Sequence, residues 1–476
     1  MNYQVPQHID SNKVFIVNRS EIEGRLDPHY NKPFFSNLWH LLSHQKYELT
    51  KLKDNSVCLF SGITPKSGSD AYVPTGGVPF VRSGDFSDTN EIDFSRLLLI
   101  KEDIHQELMR SSQLKKGDLL IAIVGATIGK IGVYQYETEA NINQAICAVR
   151  LKNNINPYYV QAFYQTNIGQ KIIERIKRPV ARANINIEEV GNLPVPLLDS
   201  NRQSEIVRLV EESRIFKKKK DIAAKQLLDS IDTYLLDELG VSLPEVRNEL
   251  KDRMFFLNRC DLEGRFDPTV YKDGIKLISP KWDNIKLSKV AFVNPSGAYK
   301  GKNVKTPISF VPMEVVDETF SEITTMGETT IEHSSGFTKF REGDLLWAKI
   351  TPCMQNGKSA IAKNLINGLG CGSTEFFVLR PKDERIAIEY LHVILHMKCV
   401  RETAMLFFGG SAGQQRVPSS FLENFIIPLP PKGKQVEIAN HVYELRQQAK
   451  CLQDEGKRIL ESAKLDVEQI IVQRDL

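Results

Sequence analysis

NRSEIEGRLDPHY, residues 18 to 30, returns at residues 258 to 271 as NRCDLEGRFDPTVY. Asn18, Arg19, Glu23, Gly24, Arg25, Asp27 and Pro28 recur as Asn258, Arg259, Glu263, Gly264, Arg265, Asp267 and Pro268, each offset by 240 in a chain of 476 residues. The echo continues in order. KLKDNSVCLFSG (51 to 62) is answered by KLSKVAFVNPSG (286 to 297), and KKGDLLIAIV (115 to 124) by REGDLLWAKI (341 to 350). NLPVPLLDSNRQSEI (192 to 206) is answered by FIIPLPPKGKQVEI (425 to 438). A fixed order with small shifts in offset marks a tandem duplication with loop insertions. Two like halves suit a target with two similar halves, and duplex DNA is the leading candidate.

Outward from the repeat, each half reads as α+β. A short helix is expected from Phe34 to Ser43, then a stretch of short strands punctuated by Gly and Pro turns (62 to 86). Asn156 to Lys177 and Ile386 to Phe408 have apolar residues three and four apart, as helices do. The pairs Pro194/Pro196 and Pro428/Pro430 close each globular part, because proline fixes φ and removes a donor.

A long helix is predicted after each proline pair. Ile206, Leu209, Ser213, Phe216, Lys220, Ala223, Leu227, Ser230 and Tyr234 trace a heptad seam in the first. Ile438, Val442, Leu445, Ala449, Leu452, Gly456, Ile459, Ala463, Asp466 and Ile470 trace one in the second. Each seam needs a partner, and the other helix supplies it. The expectation is an antiparallel coiled coil in a pseudo-twofold chain, with Lys220 laying its stem across Gly456. The domains expected are 1–200 and 241–431, each target-recognising, with spacer helices at 201–240 and 432–476.

Composition is permissive. Net charge is +3, so a DNA-binding face must be local. Seven scattered cysteines without a CxxC argue against a disulfide framework or structural zinc. The opening MNYQVPQHIDSN lacks the apolar core of a secretion signal, and no apolar run is long enough for a membrane span. A soluble, cytoplasmic protein is expected.

Catalytic motifs fail on inspection. GATIGK (125 to 130) is one residue short of a phosphate loop and lacks its Ser or Thr, and NGKS (356 to 359) lacks the leading glycine. NPYY (156 to 159) departs from the Asn-Pro-Pro-Tyr/Phe motif of amino methylation at Tyr158, with no Gly-rich cofactor loop before it. No HExxH or GxSxG occurs. The chain is expected to do no chemistry alone and to hold no cofactor or metal.

DNA readers are expected on polar loops, where forked Arg, Asn and Gln groups match base edges. Two segments fit in each half. Before the first proline pair lie Lys177, Arg178, Arg182, Asn184 and Asn186, answered by Gln414, Gln415 and Arg416. After the GDLL strand lie Thr127 and Lys130, answered by Lys349, Thr351, Gln355, Asn356 and Lys358. Arg82 and Lys66 are weaker candidates. KKKK (217 to 220) reads as a solvated helix face.

KKGDLLIAIVGATIGKIGVY, REGDLLWAKITPCMQNGK, GSAGQQRVPSSF and the two Pro-x-Pro to Gln-x-x-Ile junctions carry a family resemblance. The chain resembles the specificity (S) subunit of type I restriction-modification systems over roughly residues 15 to 475. The resemblance implies two target-recognition domains, each reading half of a bipartite, asymmetric site in double-stranded DNA. It implies long helices that set the gap and dock two methyltransferase (M) subunits, which carry S-adenosylmethionine and methylate a flipped-out adenine. It further implies restriction (R) subunits that use ATP and Mg. It does not assign base-contacting residues. A system whose methylase and nuclease share one polypeptide, a methylating enzyme acting alone, and a coiled-coil adaptor that binds only protein remain alternatives.

Overall fold

The apolar runs after the two Gly-Asp turns, Leu119–Ala122 and Leu345–Ala348, are fully buried strands. They belong to a computed structural model that describes residues 10, 13–22, 25–43, 47–66, 68–87, 91–178, 183–243, 256, 267–410 and 414–472. Glu23 and Gly24 of the first repeat, and Asn258 to Arg265 of the second, lie outside the described residues. The chain divides into two units, Met1–Lys220 with Asp454–Leu476, and Asp221–Gln453.

In the first unit, an antiparallel sheet runs Ser56–Ser61, Ile146–Leu151, Leu119–Ala122, Ile131–Val133. In the second, Ala291–Val293, Phe376–Pro381, Leu345–Ala348 and Ser359–Ile361 take the same order. A further four-stranded sheet in each unit contains one parallel pair, Val78–Val81 with Asn141–Ile142 and Pro307–Val311 with Leu369–Gly372. The proline strands Pro194–Pro196 and Ile426–Leu429 each pair antiparallel with a short strand that follows the N-terminal segment of their own half, Leu49–Lys51 and Asp283–Lys286. The units share one scaffold.

The recurrent motifs are the locks of that scaffold. Gly117 and Gly343 turn the chain at φ +92° and +81°, a region open to glycine. The following aspartates are buried. Asp118 accepts from the Lys115 N–H at 2.7 Å and pairs with Arg150 at 2.8 and 2.7 Å. Asp344 accepts from the Arg341 N–H at 2.8 Å and pairs with Arg380 at 2.6 Å through both oxygens. The junction glutamines are equally enclosed. Gln203 accepts from the Asn156 N–H and donates to Leu198 O, both at 2.8 Å. Gln435 accepts from the Ala387 N–H and donates to Pro430 O, also at 2.8 Å. Each glutamine ties the start of a long helix to the strand end and helix start of its own unit.

Asn156–Lys177 is not one helix but two, Pro157–Gln165 and Asn167–Ile176. Thr166 breaks it by accepting the Gly169 N–H on its side-chain oxygen, a competing cap. Gly169 sits where a Cβ would lie 2.4 Å from Tyr164 Cα, so the two helices meet closely there. Ile388–His396 and Lys398–Met405 repeat the break around Met397. The expected helix at Phe34 is present as Pro33–Ser43.

The central helix spans Ser200–Leu239 and the C-terminal helix Lys432–Val472. In the first unit their segments pair antiparallel, with Ile206 and Val210 in one core with Val467 and Ile471. The stem of Lys220 lies beside Gly456, whose Cβ would meet Lys217 Cα at 3.2 Å, and its ammonium pairs with Glu455 at 2.7 Å. In the second unit Ile231, Leu235 and Leu239 share a core with Ile438 and Val442, and Lys434 reaches Glu238 at 2.9 Å. Two seam assignments need correction: Ser230 and Asp466 are exposed, and Ile231 and Val467 take the buried places. A straight helix drifts about 20° per heptad against a 3.5-residue count, and over several heptads the buried face advances by about one residue.

Candidate nucleic-acid interface

The two segments chosen for their polar chemistry are distant in sequence and joined in space, in the same way in each unit. In the first, Val124 and Asn184 form an antiparallel bridge. Gly125 N–H donates to Ala183 O at 3.0 Å, and Ile185 N–H to Ile123 O at 2.9 Å. In the second, Ile350 bridges Arg416. Thr351 N–H donates to Gln415 O at 3.0 Å, and Val417 N–H to Lys349 O at 2.9 Å. Each buried GDLL strand thus continues into a loop that is stitched to the segment preceding the proline strand.

Within these paired loops the side chains divide into two groups. Asn184, Asn356 and Gln414 are exposed, and Lys177, Lys349, Gln355 and Gln415 are half-buried. Lys349 stands 5.5 Å over the Phe377 ring, and the Gln355 amide lies 3.9 Å from Met405 Sδ. The others are held by the protein itself. Lys130 donates to Phe86 O at 3.1 Å and Lys358 to Met313 O at 3.3 Å, so the two lysines play matching internal parts. Arg178 forks onto Glu189 at 3.2 and 2.8 Å, and Arg416 onto Glu375 at 2.9 and 2.8 Å. Arg82 forks onto Asp85 at 3.1 and 2.8 Å. Asn186 caps the helix Ile187–Gly191 by accepting the Glu189 N–H at 2.7 Å. Thr127 donates to Val124 O at 3.1 Å, and the Thr351 hydroxyl is buried without a partner among the described residues. Lys66 is exposed, and Arg182 lies outside the described residues.

The electrostatics follow the forks. The hydrogen bond from Arg416 holds the Glu375 carboxyl below the usual carboxylate range, and Glu375 raises the Arg416 guanidinium in turn. Asp85 does the same for Arg82 through its hydrogen bond. Sequence reasoning found the arginines but missed their carboxylate holders, Glu189 and Glu375, which lie in unlike contexts in the two halves. Among the described residues no group of three or more His, Cys, Asp or Glu is placed to hold a metal ion, and no helix is long and apolar enough to cross a membrane.

The family model described as "Type I restriction modification DNA specificity domain" matches residues 45–226 and again 281–453. The chain belongs to that family. Its similar proteins include the EcoEI type I restriction enzyme specificity subunit of Escherichia coli, 39% identical over 164 residues, which are 33% of this chain and 26% of that protein. The EcoAI specificity subunit of the same organism is 32% identical over 195 residues, 40% of this chain and 32% of that protein. The chain therefore aligns with only about a quarter to a third of the length of these relatives. A chain solved in work on complex assembly and conformational transition of the type I R-M system shares the fold at TM-score 0.51 and 15% identity, over 89% of this chain and 97% of that one.

Proposed function

We propose that the chain is the non-catalytic specificity subunit of a type I restriction-modification complex acting in the cytoplasm. Each unit reads one half of a bipartite, asymmetric site in double-stranded DNA through its paired loops. Asn184 in one unit, and Asn356 and Gln414 in the other, present forked amides suited to base edges. Lys177 and Lys349 supply positive charge for phosphates. The central and C-terminal helices set the gap and dock two methyltransferase subunits, with restriction subunits joining them. S-adenosylmethionine, ATP and Mg belong to those partners.

The observation that carries this reading is the recurrence, in two units of shared topology, of the same stitched pair of polar loops with different residues on them. A shared frame with unlike contact chemistry suits two unlike half-sites. Methylome sequencing of a host with and without this gene tests it. One bipartite methylated motif should vanish with the gene, and an unchanged methylome refutes the assignment. Inserting four residues near Ala223, about one helical turn, should lengthen the recognised gap and leave both half-sites as they were.

A further inference from the structure

The repeated motif that opens each half lies outside both segments matched by the family model, so its role is not contained in the family assignment. In the first unit its arginine has a specific geometry. Arg25 Nη1 donates to Ile176 O at 2.8 Å and reaches Glu189 Oε1 at 3.2 Å, while Nε holds Asp27 at 2.8 Å. Ile176 ends the helix Asn167–Ile176, and Glu189 lies in the helix Ile187–Gly191. Between those two points run the candidate readers Lys177, Arg178, Asn184 and Asn186. One guanidinium therefore fastens both ends of the segment that carries them.

The rest of the motif holds that guanidinium in place. Asp27 accepts the Tyr30 N–H at 3.0 Å. The Asn31 amide donates to Arg25 O at 2.8 Å and Asp27 O at 3.0 Å. Arg25 and Arg175 stand 4.8 and 4.2 Å from the Tyr30 ring, and Arg175 donates to Tyr30 O at 3.2 Å. His29 hydrogen-bonds Glu174 O at 2.8 Å, so a second basic side chain meets the carbonyl end of the same helix. At the other post Glu189 is shared. It also takes the Arg178 fork and the Asn186 N–H at 2.9 Å. Loss of Arg25 would leave Ala183 to Ile185 stitched to Ile123, Val124 and Gly125 at the strand end. It would release the bonds to Ile176 O and Glu189 that fix Lys177, Arg178 and Asn186 beside it.

We propose that Arg25 is a positioning residue. It staples the chain at Ile176 and Glu189, on either side of Lys177, Arg178, Asn184 and Asn186, and thereby sets base discrimination at the half-site read by the first unit. This rests on the DNA-reading function proposed above. The test uses the full chain assembled with its methyltransferase subunits, as wild type, Arg25→Ala and Glu189→Gln. Hydrogen exchange at the amides of Lys177, Arg178 and Ala183 to Asn186 should quicken by about tenfold or more in Arg25→Ala. The Leu119–Ala122 amides should keep their rates. Discrimination against single-base changes should fall about tenfold at one half-site and hold at the other. Asn184→Ala identifies which half-site the first unit reads. Glu189→Gln, which keeps the fold of the post and removes its charge, should move both readouts the same way by less. Unchanged exchange in Arg25→Ala overturns the staple. Quickened exchange with discrimination intact at both half-sites overturns its role in specificity. A wild-type complex that discriminates no duplex overturns the DNA-reading function itself, and the exchange rates still judge the staple separately.

Discussion

The two units use one frame and part company where the long helices meet their helix pairs. In the first, Arg214 of the central helix donates to Gln165 at 2.6 Å and to Gln161 at 3.4 Å. In the second, Arg446 of the C-terminal helix lies near the buried His392 and lines a cavity with the half-buried His396, and burial together with its charge lowers both imidazoles. Burial lowers both arginines, Arg446 to about 10, and the Nε of each is buried without a partner among the described residues. Duplication preserved a buried cation at this place and let its surroundings diverge from amides to imidazoles. The framework is under packing constraint; the polar filling is free to drift as long as the guanidinium has neighbours.

The largest effect should come from what the units share. Arg380→Met leaves the Asp344 carboxylate buried without its fork, and breaking such a pair costs about 3–5 kcal/mol. Arg150→Met should cost less, because Arg150 is the more exposed of the two arginines, 26% against 13%. Native-state hydrogen exchange of Leu345–Ala348 and Leu119–Ala122 compares them directly. Equal losses would show that the two locks are interchangeable.

Acid should separate the units next. Burial, with Arg446 and Lys363 nearby, pulls His392 down to about 3, and burial and Arg446 hold His396 well below its ordinary value, with His392 and Arg401 adding. Between pH 6.5 and about 3 the unfolded histidine takes up a proton that the folded one refuses. Stability is therefore full above pH 6.5 and falls as pH drops through that window. His392 alone contributes a loss of about 3 kcal/mol by about pH 4. The first unit has Gln161 and Gln165 in these places and should lack this component. The double variant His392→Gln with His396→Gln should flatten the acid response of the second unit. An unaltered response would break the comparison.

A smaller, symmetric effect is expected at the junctions. Gln203→Ala and Gln435→Ala each leave buried backbone groups unsatisfied, at about 1–3 kcal/mol, read as a lowered denaturation midpoint of the corresponding unit. Smaller again is Gly456→Leu in the first unit. Overpacking against Lys217 should cost about 1–3 kcal/mol, partly offset by about 1 kcal/mol of helix propensity gained on replacing glycine.

Most of the frame was legible because its signals are local. Gly-Asp turns, proline strands and heptad spacing announce themselves within ten residues. The helix breaks at Thr166 and Met397 were hidden, because hydrophobic spacing continues through them; a side-chain cap ends the ladder at Thr166, while at Met397 the backbone turns without one. The displaced seam at Ser230 and Asp466 was hidden because a drift of about one residue builds up only over several heptads. At the candidate site, the two segments could be picked by polarity, but their stitching could not, since Gly125 and Ala183 are far apart in sequence and carry no complementary side chains. The forks of Arg178 and Arg416 could not be read either, because an arginine that contacts DNA and one that serves a neighbouring carboxylate look alike in a sequence.

The backbone stitches between Gly125 and Ala183, and between Thr351 and Gln415, carry an evolutionary consequence. Two segments joined main chain to main chain shift together, so a residue change in one alters what the other can reach. Under the DNA-reading function proposed above, their contributions to target choice are expected to be epistatic, so that a new target needs paired changes across the stitch rather than one substitution at a time.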